Sequence, residues 1–358
     1  MTRTASRLVH DAEGLNTAIW PTPTDDFITP ADRFFTRSHA PTPVIDPRVW
    51  RLDVTGLVER PIMLTLDDLL RRYPAREVTS TMVCAGLRRS EFLRLGPLPG
   101  ELPWGPEPVS TGRWGGIALG DLLRDVGIRP EARHVEFVGL DCVERLGARF
   151  GFGGSIDLEK ALSPEVLLAS RLNGEPLPPD HGFPVRAVVP GWTGARSVKW
   201  LGRIVLTPEP SENYFQRKAY RVQRELNPLD PRDVTSGVAL TEVPLNAVIV
   251  DPQPDGVVRA GRVRVRGWAM GAGGRQVTAL EVSADGGELW MPARCLDEAV
   301  PWAWVFWDAV LDLAPGPHTL VARAVDRAGT TQPAALQDTW NVRGYSNNAW
   351  HRVTVLAE

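Results

Sequence analysis

Long hydrophobic runs are missing from this chain. No apolar stretch approaches the roughly 18 residues that a membrane-spanning helix needs. The first 15 residues contain neither a hydrophobic signal core nor a twin-arginine pair. We therefore expect a cytoplasmic protein with no membrane partner, whereas a true start further upstream would predict a periplasmic one.

Cysteine is scarce, and its spacing excludes two classes of protein. Cys84, Cys142 and Cys295 are an odd number of widely separated residues, without the paired spacings of zinc sites or disulfide scaffolds. At least one thiol should therefore be free. No metal-ligand spacing such as His-x3-His links His10, His134, His318 and His351.

A strong charge of one sign is also lacking. The chain has 40 Lys and Arg against 43 Asp and Glu, so its formal net charge is −3. No global positive field would hold it on a phosphate backbone, which argues against a nucleic-acid partner. With 358 residues, 43% of them hydrophobic, the chain can bury a large core and is long enough for two domains.

Residues 1–235 are predicted to form one α+β domain. Prolines 21, 23 and 30 exclude a continuous helix from the first 40 residues, which should wrap over the folded body. Residues typical of helix ends predict two helices. One covers 66–72 and is capped by Thr65 and Asp68, and the other covers 119–126 and ends at Gly127. Runs rich in Val and Ile predict strands over 134–138, 185–189 and 198–206.

Residues 236–358 are predicted to form a β-sandwich. Short alternating strands over 263–268, 277–282 and 318–324 are separated by turns at sandwich-like spacing. The glycine-rich residues 271–274 lack the strand-to-helix context of a dinucleotide site and are interpreted as a hairpin turn.

One candidate site is Cys84, at the end of an apolar run. Arg88 and Arg89 follow it, and their guanidinium groups would favour the thiolate that a soft metal requires. The alternative is a buried structural cysteine beside solvated arginines.

A second candidate is Arg186, which interrupts a run predicted to be a buried strand. A buried guanidinium needs a partner, and no acidic residue follows it in the run. A bound phosphate would meet this need, and so would a distant carboxylate.

Residues 195–203, which overlap the strand predicted over 198–206, look like a strand in which Ser197 and Lys199 would share one face and could bind one anion. A solvated sheet face is the alternative. Arg37 and His39, behind Phe34 and Phe35, are a weaker candidate, since a lone histidine is more often structural.

In this order, these segments resemble the sulfite oxidase family from about residue 27 to the C-terminus. The family's Cys-Ala-Gly-Asn-Arg-Arg motif appears as Cys84-Ala85-Gly86-Leu87-Arg88-Arg89. Its Asp-His-Gly-Phe-Pro and Gly-Ala-Arg-Ser-Val-Lys-Trp segments are intact at 180–184 and 194–200. Residues 283–290, 302–304 and 340–344 are similar to its dimerisation domain. The resemblance implies a sulfite-oxidase-type molybdopterin-binding domain followed by an immunoglobulin-like β-sandwich that forms a homodimer.

The resemblance also implies roles for single residues, with Cys84 as the molybdenum ligand. The molybdopterin and its phosphate would be held by His39, Asp141, His181, Arg186, Ser197, Val198 and Lys199. The substrate pocket maps onto Arg37, Arg89, Trp104, Tyr220 and Arg343, although Tyr214 lies close to Tyr220 in the chain. The family usually has asparagine where Leu87 and Ser38 stand, which puts the orientation of Arg89 and Arg37 in question.

The implied reaction is oxidation of sulfite to sulfate by oxygen-atom transfer at molybdenum. No haem domain is expected, so electrons would pass to an external acceptor such as a cytochrome or oxygen. The alternatives are a nitrate reductase-like molybdoenzyme and a non-enzymatic pterin-binding or assembly protein. Nitrate reductases of similar sequence place a methionine where Arg343 stands. The predicted dimer should bury some of the rings of Trp268, Trp302, Trp304 and Trp307 between subunits.

Overall fold

The computed structural model describes residues 5–226 and 235–358. The strands before residue 240 are β1 Ser6–Val9, β2 Thr17–Trp20, β3 Leu52–Gly56, β4 Ile62–Leu64, β5 Ala75–Val83, β6 Val109–Ala118, β7 His134–Gly139, β8 Val143–Arg145, β9 Ala148–Phe150, β10 Gly153–Asp157, β11 Leu167–Leu172, β12 Glu175–Pro176, β13 Arg186–Val188, β14 Leu201–Thr207, β15 Arg221–Val222 and β16 Val238–Ala239. The α-helices are α1 Leu66–Arg72, α2 Leu119–Val126, α3 Leu158–Leu162 and α4 Tyr214–Arg217. The later strands are β17 Asn246–Asp251, β18 Gly256–Val258, β19 Gly261–Met270, β20 Val277–Ser283, β21 Met291–Pro292, β22 Arg294–Cys295, β23 Val305–Leu313, β24 Gly316–Asp326 and β25 His351–Ala357.

Two sheets form the first half of the molecule. One has the order β10-β7-β14-β3-β4, with β14 parallel to β3 and antiparallel to β7. The other has the order β12-β11-β6-β5, with β13 paired to β11. Leu52, Phe137 and Ile204 of the first sheet share one buried apolar cluster with Leu168 of the second and with Leu122 of α2. The predicted α+β class is confirmed.

Local sequence explains where the two longer helices begin or end. At α1, Thr65 Oγ accepts a hydrogen bond from the Asp68 amide at 3.0 Å, and the Asp68 carboxylate accepts one from the Thr65 amide at 3.1 Å. α2 ends at Gly127, whose φ of 72° lies in the left-handed region. Both predicted helices are confirmed.

The second half is a β-sandwich. Its sheets have the orders β17-β19-β23-β22 and β18-β25-β24-β20-β21. Val265 and Leu311 of the first sheet and Leu320 and Val353 of the second belong to one buried cluster between them. Residues 271–274 connect β19 in one sheet to β20 in the other, so the predicted hairpin turn is wrong.

The tryptophans of the sandwich lie inside the chain. Trp268, Trp304 and Trp307 are no more than 1% exposed. Trp304 donates a hydrogen bond from Nε1 to the carbonyl of Phe27 at 3.0 Å, and it packs against Trp268 in a cluster that also holds Val83 and Leu87. These three rings fill the core and the contact between the halves, so the expectation that they lie between subunits is wrong for them. Trp302 remains partly exposed.

The N-terminal residues form a hairpin, β1 and β2, that lies against the body of the protein. Thr17 exchanges backbone hydrogen bonds with Thr36, which fixes the hairpin beside the segment that carries Arg37 and His39. Within residues 5–226 and 235–358, no helix is long and apolar enough to cross a membrane.

Candidate active site

A cavity lies where the ends of several strands and loops meet. Its walls come from residues 34–39, the end of β5, the start of β13 and the turn before β14. Most of the predicted site residues line it, namely Arg37, His39, Cys84, Asp141, His181, Arg186, Ser197, Lys199 and Tyr220. Of the two neighbouring tyrosines, Tyr220 is the one that lines this cavity.

Cys84 follows β5 directly and is held at the cavity by its backbone. Its amide donates to the carbonyl of Pro108 at 3.0 Å, and the Gly86 amide donates to its sulfur at 3.5 Å. Burial raises the pKa of the thiol, against the opposing effects of Arg37, the Gly86 amide and Arg89. Arg88 is instead hydrogen-bonded to Glu91, Asn246 and the carbonyl of Ala349. Of the two arginines expected to favour the thiolate, Arg89 is therefore the one that does so.

Arg186 is buried at the start of β13. Its guanidinium donates to the carbonyls of His181 at 2.9 Å and Ser197 at 2.8 Å, and it lies 5.0 Å from the centre of the Trp114 ring. No ion pair with it occurs in residues 5–226 and 235–358. Burial lowers its pKa to about 9. Of the two partners considered from the sequence, the distant carboxylate is therefore not found in this part of the chain.

Lys199 is a second cation on the same cavity, and it is partly buried. Its Nζ donates to Ser38 Oγ and to the carbonyl of Asp180, each at 2.7 Å. Burial, with the charge of Arg186, lowers its pKa to about 7. Two neighbouring cations without an ion-paired carboxylate in the described residues form a cradle that fits a phosphate group.

Ser197 and Lys199 meet at the cavity through a turn and not through a strand. Residues Gly194–Arg196 form a 3-10 helix, Trp200 has a φ of 55°, and β14 begins only at Leu201. The predicted strand over 195–203 is therefore wrong in its first half. Val198 is 1% exposed in the apolar core, and its carbonyl accepts a hydrogen bond from Ala187.

Three further titratable groups surround the cavity. His39 Nε2 and Tyr220 Oη are hydrogen-bonded at 2.7 Å, and burial keeps the pKa of His39 well below its ordinary value. Burial lowers the pKa of His181 to about 4. Burial raises the pKa of Asp141, whose carboxylate accepts a hydrogen bond from the Phe152 amide at 2.8 Å. Both histidines are therefore neutral hydrogen-bonding groups near pH 7.

The predicted pocket arginines are held by partners that the sequence did not reveal. Arg37 donates to Asn16 Oδ1 at 3.0 Å. Arg89 lies 3.2 Å from Glu101 Oε2, and Arg343 donates to Glu101 Oε1 at 2.8 Å. Sequence reasoning missed Asn16 and Glu101, because nothing local links an N-terminal hairpin or a loop carboxylate to these arginines.

Trp104 does not line the cavity. It is fully buried, with its ring centre 4.1 Å from that of His10. A Cβ built on Gly86 would come within 3.0 Å of Trp104 Cδ1 and 2.9 Å of Arg89 Cζ. Trp104 therefore packs against the turn that joins Cys84 to Arg89.

The two positions that depart from the family motif have different surroundings. Ser38 accepts the hydrogen bond of Lys199, so its hydroxyl belongs to the cationic cradle. Leu87 is 3% exposed and lies in the apolar cluster between the two halves of the chain. Arg37 and Arg89 are instead oriented by Asn16, Glu101 and backbone carbonyls.

The site combines one buried thiol with a phosphate-sized cradle of cations. In the described residues no group of three His, Cys, Asp or Glu could hold a metal ion by itself. A metal bound beside Cys84 would therefore need to bring its other ligands with it, on an organic carrier with an anionic group. Fold and site together define an oxidoreductase of the kind that uses a phosphorylated, metal-carrying cofactor.

Comparison with known proteins specifies that class. Residues 39–215 match the oxidoreductase molybdopterin binding domain, and residues 238–358 match the Mo-co oxidoreductase dimerisation domain. The chain is 41% identical to sulfite oxidase of Gallus gallus over 336 residues, which cover 91% of this chain and 72% of that one. This protein belongs to the sulfite oxidase family of molybdenum oxidoreductases.

Other relatives show the range of the family. The chain is 41% identical to mitochondrial sulfite oxidase of Homo sapiens, covering 93% of this chain and 62% of that protein. It is 39% identical to a nitrate reductase of Oryza sativa, covering 92% of this chain and 38% of that protein. The crystal structure of the sulfane dehydrogenase SoxCD from Paracoccus pantotrophus matches 92% of this chain and 83% of that one, with a TM-score of 0.77 and 28% identity.

Proposed function

We propose that this protein oxidises sulfite to sulfate with a molybdenum cofactor and passes the electrons to an external acceptor such as a cytochrome or oxygen. The observation that carries the proposal is a buried thiol between two sets of cations. On one side, Arg186 and Lys199 form the cradle without an ion-paired carboxylate in the described chain. On the other, Arg37 lines the cavity, Arg37 and Arg89 both counteract the effect of burial on the Cys84 thiol, and Arg89 shares Glu101 with Arg343.

The described residues fit the molybdopterin cofactor. Cys84 would bind the molybdenum, Arg186 and Lys199 would pair with the phosphate, and the remaining polar groups that would contact the pterin are His39, Asp141, His181, Ser197 and the backbone of Val198. When bound, the cofactor supplies the two-electron and oxygen-atom chemistry that side chains cannot provide. The paired anion would also offset the burial cost of the two cations.

The substrate side of the site depends on charge. Guanidinium groups bind small oxyanions with two parallel donors. Arg37, Arg89 and Arg343 would concentrate sulfite and orient it toward the metal. Tyr220, whose hydroxyl is held by neutral His39, would offer the substrate a hydrogen bond. Trp104 would act by packing behind Cys84 and Arg89.

Nitrate reduction is the rival function, since a rice nitrate reductase is 39% identical to this chain. Arg343 favours sulfite, because sulfite near neutral pH carries between one and two negative charges and nitrate carries one. The test is kcat/KM for both anions in the purified holoenzyme, with a dye and with a soluble cytochrome. Efficient nitrate reduction without sulfite oxidation would reject the proposal.

A non-enzymatic assembly protein is a third candidate, and metal analysis distinguishes it. An enzyme should retain about one molybdenum per chain after purification, in proportion to its activity. A folded protein without molybdenum or pterin, purified from a host that makes the cofactor, would support the assembly role instead.

The organisation of the chain is also part of the proposal. We place the catalytic domain at residues 1–235 and the dimerisation domain at 236–358, which the gap between the two matched regions supports. The chain carries a Mo-co dimerisation domain, and we expect a homodimer through its sandwich. A strictly monomeric mass at micromolar concentration would argue against the dimer.

A further inference from the structure

Glu101 is a carboxylate inserted between two of the three pocket arginines. It lies in the loop between Arg94 and β6, and its side chain is 12% exposed. One oxygen accepts from Arg343 Nη1 at 2.8 Å, and the other lies 3.2 Å from Arg89 Nη2. Each oxygen is therefore matched to a different guanidinium, as the oxygens of a bound oxyanion would be.

Arg89 does not need Glu101 to stay in place. Its Nη1 donates to the carbonyl of Leu102 at 3.0 Å and its Nε to that of Gly344 at 3.3 Å. Its guanidinium also lies 4.9 Å from the centre of the Tyr345 ring. These contacts fix the side chain along its length, so the main effect of Glu101 on Arg89 is electrostatic.

Arg343 depends more on Glu101 but retains an unused donor. Its side chain is 26% exposed, and its only ion pair in the described residues is with Glu101. Its buried Nε has no hydrogen-bond partner in that part of the chain. The guanidinium is thus directed by Glu101 and still has capacity for a second acceptor.

The carboxylate changes the charge that a substrate meets. Arg37, Arg89 and Arg343 contribute three positive charges, and Glu101 subtracts one. A unit charge a few ångströms away in a partly screened pocket discriminates between anions of different charge by roughly tenfold. The penalty grows with the charge of the ligand, so it is larger for a dianion than for a monoanion.

We propose that Glu101 is a specificity-determining residue of the oxyanion pocket, an internal counter-anion that weakens the binding of doubly charged anions. Sulfate, the product of the proposed reaction, is such an anion at neutral pH, whereas sulfite is partly singly charged. Glu101 thereby favours release of product over substrate. This inference depends on the proposed function, because it assumes that the three arginines face an oxyanion.

The test uses purified holoenzyme and two inorganic probes, sulfate and nitrate. Their inhibition constants against sulfite oxidation, and their direct binding by calorimetry, are measured at fixed ionic strength in wild type and in Glu101→Gln. We expect the variant to bind sulfate about tenfold more tightly and nitrate no more than about threefold more tightly. Product inhibition by sulfate should increase by the same factor.

Two further variants keep the test decisive. Glu165→Gln removes the same charge from a comparably buried carboxylate that pairs with Lys160 at 2.6 Å, so it should leave both constants unchanged. Glu101→Asp keeps the charge, so the ratio of the affinity for sulfate to the affinity for nitrate should stay near that of wild type. If Glu101→Gln fails to fold, Glu101→Met removes the same charge. An affinity for sulfate relative to nitrate that rises severalfold in that variant supports the inference, and an unchanged one overturns it.

The outcomes separate this inference from the function on which it depends. If the wild type oxidises sulfite but Glu101→Gln has the same ratio of sulfate affinity to nitrate affinity as wild type, the inference is wrong and the function stands. If Glu101→Asp raises the ratio as much as Glu101→Gln, Glu101 acts by geometry and the inference is again wrong. A wild type that neither oxidises sulfite nor binds either anion would overturn both.

Discussion

Two buried arginines in this molecule have opposite surroundings. Arg88, which is fully buried, donates from Nε and Nη2 to the two oxygens of Glu91 at 2.7 and 2.9 Å. Its Nη1 donates to Asn246 Oδ1 at 2.7 Å and to the carbonyl of Ala349 at 2.8 Å. Arg186 is also buried, and among the described residues its partners are backbone carbonyls and the sulfur of Met82. One arginine is neutralised inside the protein and the other is not.

The neutralised arginine holds the two halves of the chain together. Asn347 donates to the carbonyl of Arg88 at 3.0 Å and to Glu91 at 3.1 Å. Burial would raise the pKa of Glu91, but the charge of Arg88, the influence of His351 and the hydrogen bonds from Arg88 and Asn347 together outweigh burial and keep that pKa below its ordinary value. The charge of Arg88 at this junction is therefore balanced by Glu91 within the chain. Arg186 has no ion-paired carboxylate among the described residues, which supports the proposal that it pairs with the phosphate of a cofactor. The comparison teaches that a buried cation marks a ligand site only where the fold leaves it without a carboxylate.

The largest expected effect is at the cavity, and it concerns activity. Cys84→Ser should lower kcat/KM for sulfite by more than about a thousandfold, since the hydroxyl is a poor ligand for a soft metal. The melting temperature should change little, because the cradle that would hold the pterin is untouched. Steady-state kinetics measures kcat/KM, calorimetry measures the melting temperature, and the pterin content of the same sample shows whether the cofactor is retained. Full sulfite oxidation by the variant would contradict the role of Cys84.

The junction should show the reverse pattern, with stability affected first. Glu91→Gln leaves Arg88 buried without its counter-charge and should lower the free energy of unfolding by about 3 kcal/mol. Unfolding in guanidinium chloride measures this change in the free energy of unfolding. Asp67→Asn, which breaks the exposed pair with Arg71, is the control and should stay within about 0.5 kcal/mol of wild type. Equal effects of the two substitutions would remove the distinction between paired and solvated charge.

Removing a cation from the cradle should stabilise the cofactor-free protein, which is the opposite of the effect expected for Glu91→Gln. Lys199→Met eliminates a partly buried charge that has no ion-paired carboxylate in the described residues. We expect it to raise the free energy of unfolding of protein made without cofactor by about 2 kcal/mol. In cells that make the cofactor, the same variant should retain much less pterin. A destabilised cofactor-free variant would mean that the cradle is satisfied internally.

The pH dependence of that difference gives a further check. The pKa of Lys199 is about 7 in the folded chain, compared with an ordinary value of 10.5. Burial, Arg186 and Arg37 lower this pKa, and Asp180 and Asp141 partly oppose them. Between these values the unfolded chain binds more protons than the folded one, so the stability of cofactor-free wild type rises with pH across this window. The advantage of Lys199→Met should therefore be largest below pH 7 and should shrink as the pH rises.

Arg343 is intermediate between Arg88, which has a carboxylate to itself, and Arg186, because it shares Glu101 with Arg89. Arg343→Met should weaken sulfite use more than tenfold, a loss of at least about 1.4 kcal/mol in transition-state binding. Nitrate turnover should fall less, or rise. The measurement is kcat/KM for both anions at fixed ionic strength, because salt screens these charges. An unchanged ratio between the anions would remove Arg343 as the discriminating residue.

The sequence by itself determined the local structure and the identity of most of the groups that line the cavity. Thr65, Asp68 and Gly127 define helix ends through contacts within a few residues, so these elements were predictable. Cys84, Arg186 and Lys199 were identifiable because their motifs resemble those of a known family. The turn over 194–200 was not, because a 3-10 helix and a positive φ at Trp200 depend on tertiary packing.

Only the tertiary structure decided what each charge does. Arg88 and Arg89 are adjacent in the chain, yet one is directed to the junction with the sandwich and the other to the pocket. Glu101 and Arg343 are separated by 242 residues and form one ion pair. The physical reason is that the cost of burying a charge depends on which groups surround it in space, and those groups come from segments that no local pattern connects.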